Sequence, residues 1–124
     1  LISRLLTDAV WQTIKDYHKD TKSRELTGDH RNVIEQNMDI HPFDGGVFIA
    51  IGNEFDLFVV PEKRGRWRIR TEIGNYLHQM GKSHSTIVVR INENNSPSLR
   101  LAEHFGFKEV SRENGIIRLE KRNG

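Results

Sequence analysis

In Phe55-Asp56-Leu57-Phe58-Val59-Val60-Pro61-Glu62-Lys63-Arg64-Gly65-Arg66 an apolar run of strand length meets a proline, and a glycine flanked by cations follows. Phe55–Val60 reads as a strand that Pro61 ends. A helix then begins at about residues 66–69, because Ile69, Ile73, Tyr76, Leu77 and Met80 recur at helical spacing and Gly81 closes the stripe. A helix start leaves N–H groups without intrahelical partners and carries the positive end of the dipole, so it suits a phosphate. Five of the eight residues 63–70 are cationic: Lys63, Arg64, Arg66, Arg68 and Arg70. Arginine forks match phosphate oxygens well. Ligand phosphates are the favoured reading of this loop. A nucleic acid or another polyanion, which Trp67 among arginines also fits, is the second, and a merely solvated helix start is the third.

Working outward, Val47–Gly52 reads as a strand joined to Phe55–Val60 by a turn at Gly52-Asn53. Further upstream, His41-Pro42 and Asp44-Gly45-Gly46 read as breaks. Before them, a helix over Asp29–Met38 has Val33, Ile34 and Met38 on one side, and a first helix over Asp8–Lys19 is capped by Thr7. Trp11 and Tyr17 belong to the packing face of that first helix. Downstream, Ser85–Ile91 is a β-branched strand, followed by a short helix that Ser96 caps and Pro97 opens. Leu99, Leu101, Ala102 and Phe105 form its apolar side, and Gly106 ends it. Asn114-Gly115 is the tight turn of a closing hairpin between Phe107–Arg112 and Ile116–Glu120. Strand–helix–strand units from Phe55 onward imply parallel pairing, and the hairpin implies antiparallel pairing. The class is α/β with a mixed sheet.

The 124 residues suit one domain, with 35% hydrophobic and 29% charged residues pointing to a thin core and a wet surface. A formal charge of +2 makes no case for nucleic acid by itself. No apolar run approaches the roughly 20 residues of a membrane span. Cysteine is absent, which excludes disulfides, thiolate metal sites and a cysteine nucleophile, and fits a cytoplasmic protein. The six histidines show no metal-ligand spacing, so no metal is expected.

Two segments resemble the GNAT superfamily of acetyl-CoA-dependent N-acetyltransferases. Residues 55–66 look like its central strand and cofactor loop, V-x-P-x-x-R-G-x-G-x-G. Asn95-Ser96-Pro97-Ser98-Leu99-Arg100-Leu101-Ala102-Glu103-His104-Phe105-Gly106-Phe107 look like its N-x-x-A/S-x-x-L-Y-x-x-x-G-F helix. The resemblance covers about Val47–Glu120. It implies one GNAT-like domain over 1–124, with a helical acceptor-side region at 1–46 and a cofactor-binding core at 47–120. The central sheet would be mixed, flanked by helices, and would end in a C-terminal β-hairpin. It also implies direct transfer of an acetyl group from acetyl-CoA to a primary amine, on a small molecule or a protein, by a monomer or homodimer. Val59, Val60, Arg64, Gly65, Arg66, Trp67, Arg68, Asn95 and Ser98 are the cofactor-binding candidates. A backbone N–H at the split between central strands would polarise the thioester carbonyl. Glu54 and Asp56, on one face of their strand by alternation, are the candidate bases.

The chain departs from the family pattern in two places. Trp67 and Ile69 replace glycines, a Gly-Arg-Trp form that resembles a divergent subgroup associated with phage-encoded proteins. Ala102 stands where many members have a tyrosine that protonates the leaving thiolate, and alanine cannot do that. Each candidate also has a plainer reading. Asn95 and Ser98 suit simple capping, Glu54 and Asp56 suit a turn and a solvent-facing strand position, and His104 suits a surface position. A GNAT-shaped binding or structural module without transferase activity, or a nucleic-acid-directed protein on this scaffold, is the alternative.

Overall fold

The computed structural model describes residues 6–20, 28–65 and 67–122. The chain runs α1 (Asp8–Asp20), α2 (Gly28–Asn37), β1 (Asp39–Phe43), β2 (Gly46–Ile51), β3 (Glu54–Val59), a 3-10 turn (Pro61–Lys63), α3 (Trp67–Gly81), β4 (Thr86–Asn92), α4 (Ser96–His104), β5 (Lys108–Glu113) and β6 (Ile116–Arg122). The strands are ordered β1-β2-β3-β4-β6-β5. It is an α/β fold with a mixed sheet, because β3–β4 is parallel while β1–β2, β4–β6 and β5–β6 are antiparallel. Among the described residues, no helix is long and apolar enough to cross a membrane.

Contacts gather in two compact units, residues 1–51 with 57–69, and residues 52–56 with 70–124. In the first, Thr7 caps α1 by accepting from the Val10 amide at 3.2 Å. Val10, Trp11 and Ile14 fall at helical spacing and are buried with Ile40, Val47, Ile49 and Val60. Ile34 and Met38, one helical turn apart, pack against this core. Val33 was expected beside them but is 53% exposed. Its neighbour on the helix surface is Asn37, four residues on, so the two belong to the outer face. Arg31 ties α2 to the chain before α1, donating to the Leu6 carbonyl and pairing with Asp8 and Glu35.

The stretch expected to break the chain at His41-Pro42 is instead β1, registered on β2 from Asp39↔Ala50 to Phe43↔Gly46. β1 is the first strand of the sheet and has one neighbour, and an edge strand tolerates a residue with no N–H to donate. Asp44-Gly45 is its tight turn. Gly46 fits only as glycine, since a Cβ there would strike the Phe43 ring and lie 2.7 Å from the Phe58 carbonyl. β2 is buried from Gly46 to Ala50, the continuous apolar run of a strand covered on both faces.

In the second unit the α3 residues Ile73, Tyr76, Leu77 and Met80 are buried together with Phe55, Ile87, Val88, Val89, Ile117 and Leu119. Phe55 meets the rings of Tyr76 and Phe107 edge-on, at centroid distances of 5.1 and 6.4 Å. Each such fully buried side chain contributes about 1.5–3 kcal/mol by leaving water. β4 and β6 pair along their length, from Thr86↔Arg122 to Asn92↔Ile116. Asn114 (φ 51°) and Gly115 (φ 79°) make the hairpin turn with both residues left-handed, as a two-residue loop requires.

Candidate functional site

The cofactor loop is built from the end of β3. The Val60 amide donates to the Gly45 carbonyl at 2.8 Å, which ties the strand end to the β1–β2 turn. Residues of an antiparallel strand alternate between bonding their neighbour and turning away from it. Val60 bonds toward the β2 side, so the N–H and C=O of Val59 turn the other way. The Val59 carbonyl accepts from the Arg64 side chain, Nε to O at 2.9 Å. Pro61 opens the 3-10 turn, which closes with Lys63 N to Val60 O at 3.0 Å and Arg64 N to Pro61 O at 3.2 Å. Gly65 then takes φ +76°, a left-handed conformation that costs any residue with a Cβ, and open space lies where that Cβ would stand.

Trp67 is the first residue of α3. Arg66 lies outside the described residues, as does the side chain of Trp67. Arg64, Arg68 and Arg70 are exposed and Lys63 is half-buried, pairing with Asp44 at 3.5 Å. Ile69, where the resemblance expects a glycine, is buried, so its bulk is absorbed by the core and not by the loop's outer surface. Beside the loop a cavity of about 360 Å³ opens in the first unit. Its walls come from the start of α1 (Leu6, Val10), the β1–β2 turn (Phe43–Val47) and Val60 with Glu62 and Lys63. The wall is mostly apolar, with charge at Asp44, Glu62 and Lys63.

The other candidates belong to the second unit. Glu54 is engaged by Arg90, Oε1 to Nε at 3.1 Å, with about half of each side chain exposed. Asp56 is exposed. The expected alternation along β3 holds at Phe55 (buried) and Asp56 (exposed) but fails beyond them. Phe58 shares the parity of Asp56, yet it is half-buried, packs against the first unit's core and meets Tyr17 edge-on at 5.7 Å. Asn95 and Ser98 come together, because the Asn95 Oδ1 accepts from the Ser98 amide at 3.4 Å. Asn95, not Ser96, is therefore the N-cap of α4. Its side chain reaches the third residue into the helix, while Ser96 already lies inside the first turn. Ala102 is buried, and His104 is exposed with its ring edge-on to Phe105.

Sequence reading found the loop but missed how its strand end is held. The Gly45 carbonyl and the Arg64 side chain engage Val60 and Val59 across separations of 15 and 5 residues. Neither helical nor strand periodicity carries a signal for such bonds.

The sequence matches no family model and no curated protein. Solved structures do match in fold. PH1933 from Pyrococcus horikoshii OT3 superposes with a TM-score of 0.65 at 19% identity, covering 99% of this chain and 96% of that one. yncA from Salmonella typhimurium, solved with its cofactor acetyl-CoA, gives 0.68 at 14% identity over 96% of this chain and 91% of that one. The ribosomal-protein-alanine N-acetyltransferase from Brucella melitensis gives 0.66 at 15% identity over 99% and 100%. At these identities what is shared is the fold.

Proposed function

We propose that the chain binds acetyl-CoA at the β3–α3 loop and transfers its acetyl group to a primary amine. The observation that carries this is the loop itself. A strand end whose Val59 carbonyl accepts from Arg64, a left-handed Gly65 and the start of a helix follow one another within nine residues, among exposed arginines. The fold it shares with an acetyl-CoA-bound protein and with N-acetyltransferases supports the same reading.

Acetyl-CoA, when bound, would supply an activated acetyl group, which the amine would take directly with release of the CoA thiolate and no covalent enzyme intermediate. The amides of the first α3 turn and the guanidinium groups of Arg64, Arg66 and Arg68 hold the diphosphate. Arg64 does so from a fixed position, because its Nε is anchored on the Val59 carbonyl. The Val59 N–H donates to the thioester oxygen as negative charge develops there. Val60 cannot share that task, since its amide is spent on Gly45. Asp56, exposed on β3 three residues before Val59, is the carboxylate that takes the ammonium proton through water. Ala102 offers the departing thiolate no proton, so water supplies it.

Calorimetry tests the binding step. CoA is expected to bind, and Arg64→Glu should weaken it by roughly tenfold or more, the worth of one charge-assisted contact. No heat at about 1 mM CoA, a concentration that reports even −4 kcal/mol of binding, would remove the proposal. For the base, Asp56→Asn should cut acetylation of a polyamine or peptide-amine panel by about 10²-fold with CoA affinity unchanged, and Glu54→Gln should cost much less. The reverse order of effects would transfer the role to Glu54. A binding module without transfer is favoured by one observation, the buried Ala102 in place of a phenol, and CoA binding without turnover would select it.

A further inference from the structure

β5 is the last strand of the sheet, and all six of its residues are exposed. Val110 at its centre is 52% exposed, and Ile116 on the neighbouring strand 39%. An open strand edge offers a row of N–H and C=O groups to another chain. The register on β6 fixes which way the β5 residues point. Glu109 lies opposite Leu119 and Arg112 opposite Ile117, on the face that carries those two buried side chains. Lys108 lies opposite Glu120 and Glu113 opposite Ile116, on the other face. The bulge between Glu109 and Ser111 is what brings this about. In an unbroken strand, residues three apart such as Glu109 and Arg112 would point to opposite faces.

The bulge makes the strand complementary to itself. When β5 is laid antiparallel on a second β5, about a twofold axis between Val110 and Ser111, Lys108 faces Glu113 and Glu109 faces Arg112. Both pairs are opposite in charge, the members of each share a face of the sheet (Glu109 and Arg112 one face, Lys108 and Glu113 the other), and the symmetry repeats each of them. We propose that two copies of this chain associate through β5 in this register, continuing one sheet across the twofold axis. Arg112 is already shared between Glu109 at 2.8 Å and Glu93 at 3.5 Å within its own chain. These are half-exposed surface pairs of little individual worth, so a partner's Glu109 adds to them without a large loss. A six-residue ladder is small for a specific interface, so dissociation in roughly the 1–100 µM range is expected.

Sedimentation velocity on the full chain, from about 1 to 500 µM, should show a monomer–dimer equilibrium that weakens as salt screens the exposed charges. Lys108→Glu sets like charges against each other at both ends of the ladder and should weaken the dimer by about tenfold or more. The double variant K108E/E113K exchanges the two signs and should restore the unaltered affinity to within about threefold. Positions 108 and 113 lie at opposite ends of one strand, so a loss caused within the monomer would not be rescued this way. A chain that stays monomeric throughout, or a double variant no better than K108E, overturns the proposal. Should K108E fail to fold, amide exchange on the unaltered chain decides. Exchange along β5 must slow as concentration rises, and exchange independent of concentration overturns the interface.

Discussion

Asn95 shows how a local structural bond can account for a residue that a functional motif also contains. In the GNAT-like helix motif it stands where a pantetheine contact is expected, yet its Oδ1 accepts from the Ser98 amide and satisfies one of the donors that open α4. Ser98 is drawn into the same bond. The local bond accounts for both residue types without a ligand, so Asn95→Ala is expected to cost about 1 kcal/mol of stability, the usual worth of a cap. Denaturant unfolding reads that loss, and calorimetry should find CoA affinity unchanged within about twofold. A tenfold drop in affinity at unchanged stability would give Asn95 to the ligand instead. Arg64 is the converse case. Its charge read plainly as a phosphate contact, but its anchoring on the Val59 carbonyl was not legible, because nothing in residue type or spacing ties a side chain to a strand end five positions back.

At the scale of elements, most of the fold was written in the sequence. The stripe Ile69, Ile73, Tyr76, Leu77, Met80 is buried along α3 as its spacing requires, and Asn114-Gly115 turns the closing hairpin. The missing element, β1, failed for a physical reason. Its residues include Pro42 and adjoin Asp44-Gly45-Gly46, all signals of irregular chain, and its pairing on β2 comes from position at the sheet edge, not from propensity. β5 was expected from the Asn114-Gly115 turn, although its residues Lys108-Glu109-Val110-Ser111-Arg112-Glu113 have no apolar alternation. Its strand character comes from pairing with β6, and its bulge is invisible in residue types alone. Of the candidate site, the loop was legible because a glycine, a proline and clustered cations each carry a local meaning. Glu54 and Asp56 were legible as a pair on one face, but not the Arg90 partner of Glu54, since that contact joins two strands of the sheet 36 residues apart.

Over the whole molecule, the two compact units are not two stretches of chain. The backbone passes between them after Ile51, after Asp56 and after Ile69, so β3 and α3 each contribute to both. The second unit therefore depends on five residues, Gly52–Asp56, that a simple truncation removes. Among them Phe55 is 6% exposed against Tyr76 and Phe107, and Glu54 registers on Val88 of β4. In the same segment Asn53 accepts from the Val88 amide at 2.9 Å and donates its Nδ2 to the Thr86 carbonyl at 3.0 Å. A chain of residues 70–124 keeps the hairpin, α4 and most of α3 but loses that ring and those bonds. It is expected to lack cooperative unfolding and dispersed amide resonances, even though it contains most of the second unit's apolar residues. In the full chain, Phe55→Ala should cost about 3–5 kcal/mol, the usual penalty for emptying a buried aromatic site. Calorimetric unfolding should move to lower temperature. A fragment 70–124 that folds by itself, or a Phe55→Ala chain that melts where the unaltered chain does, would mean that the segment Gly52–Asp56 is a passenger on an autonomous C-terminal unit and not part of its core.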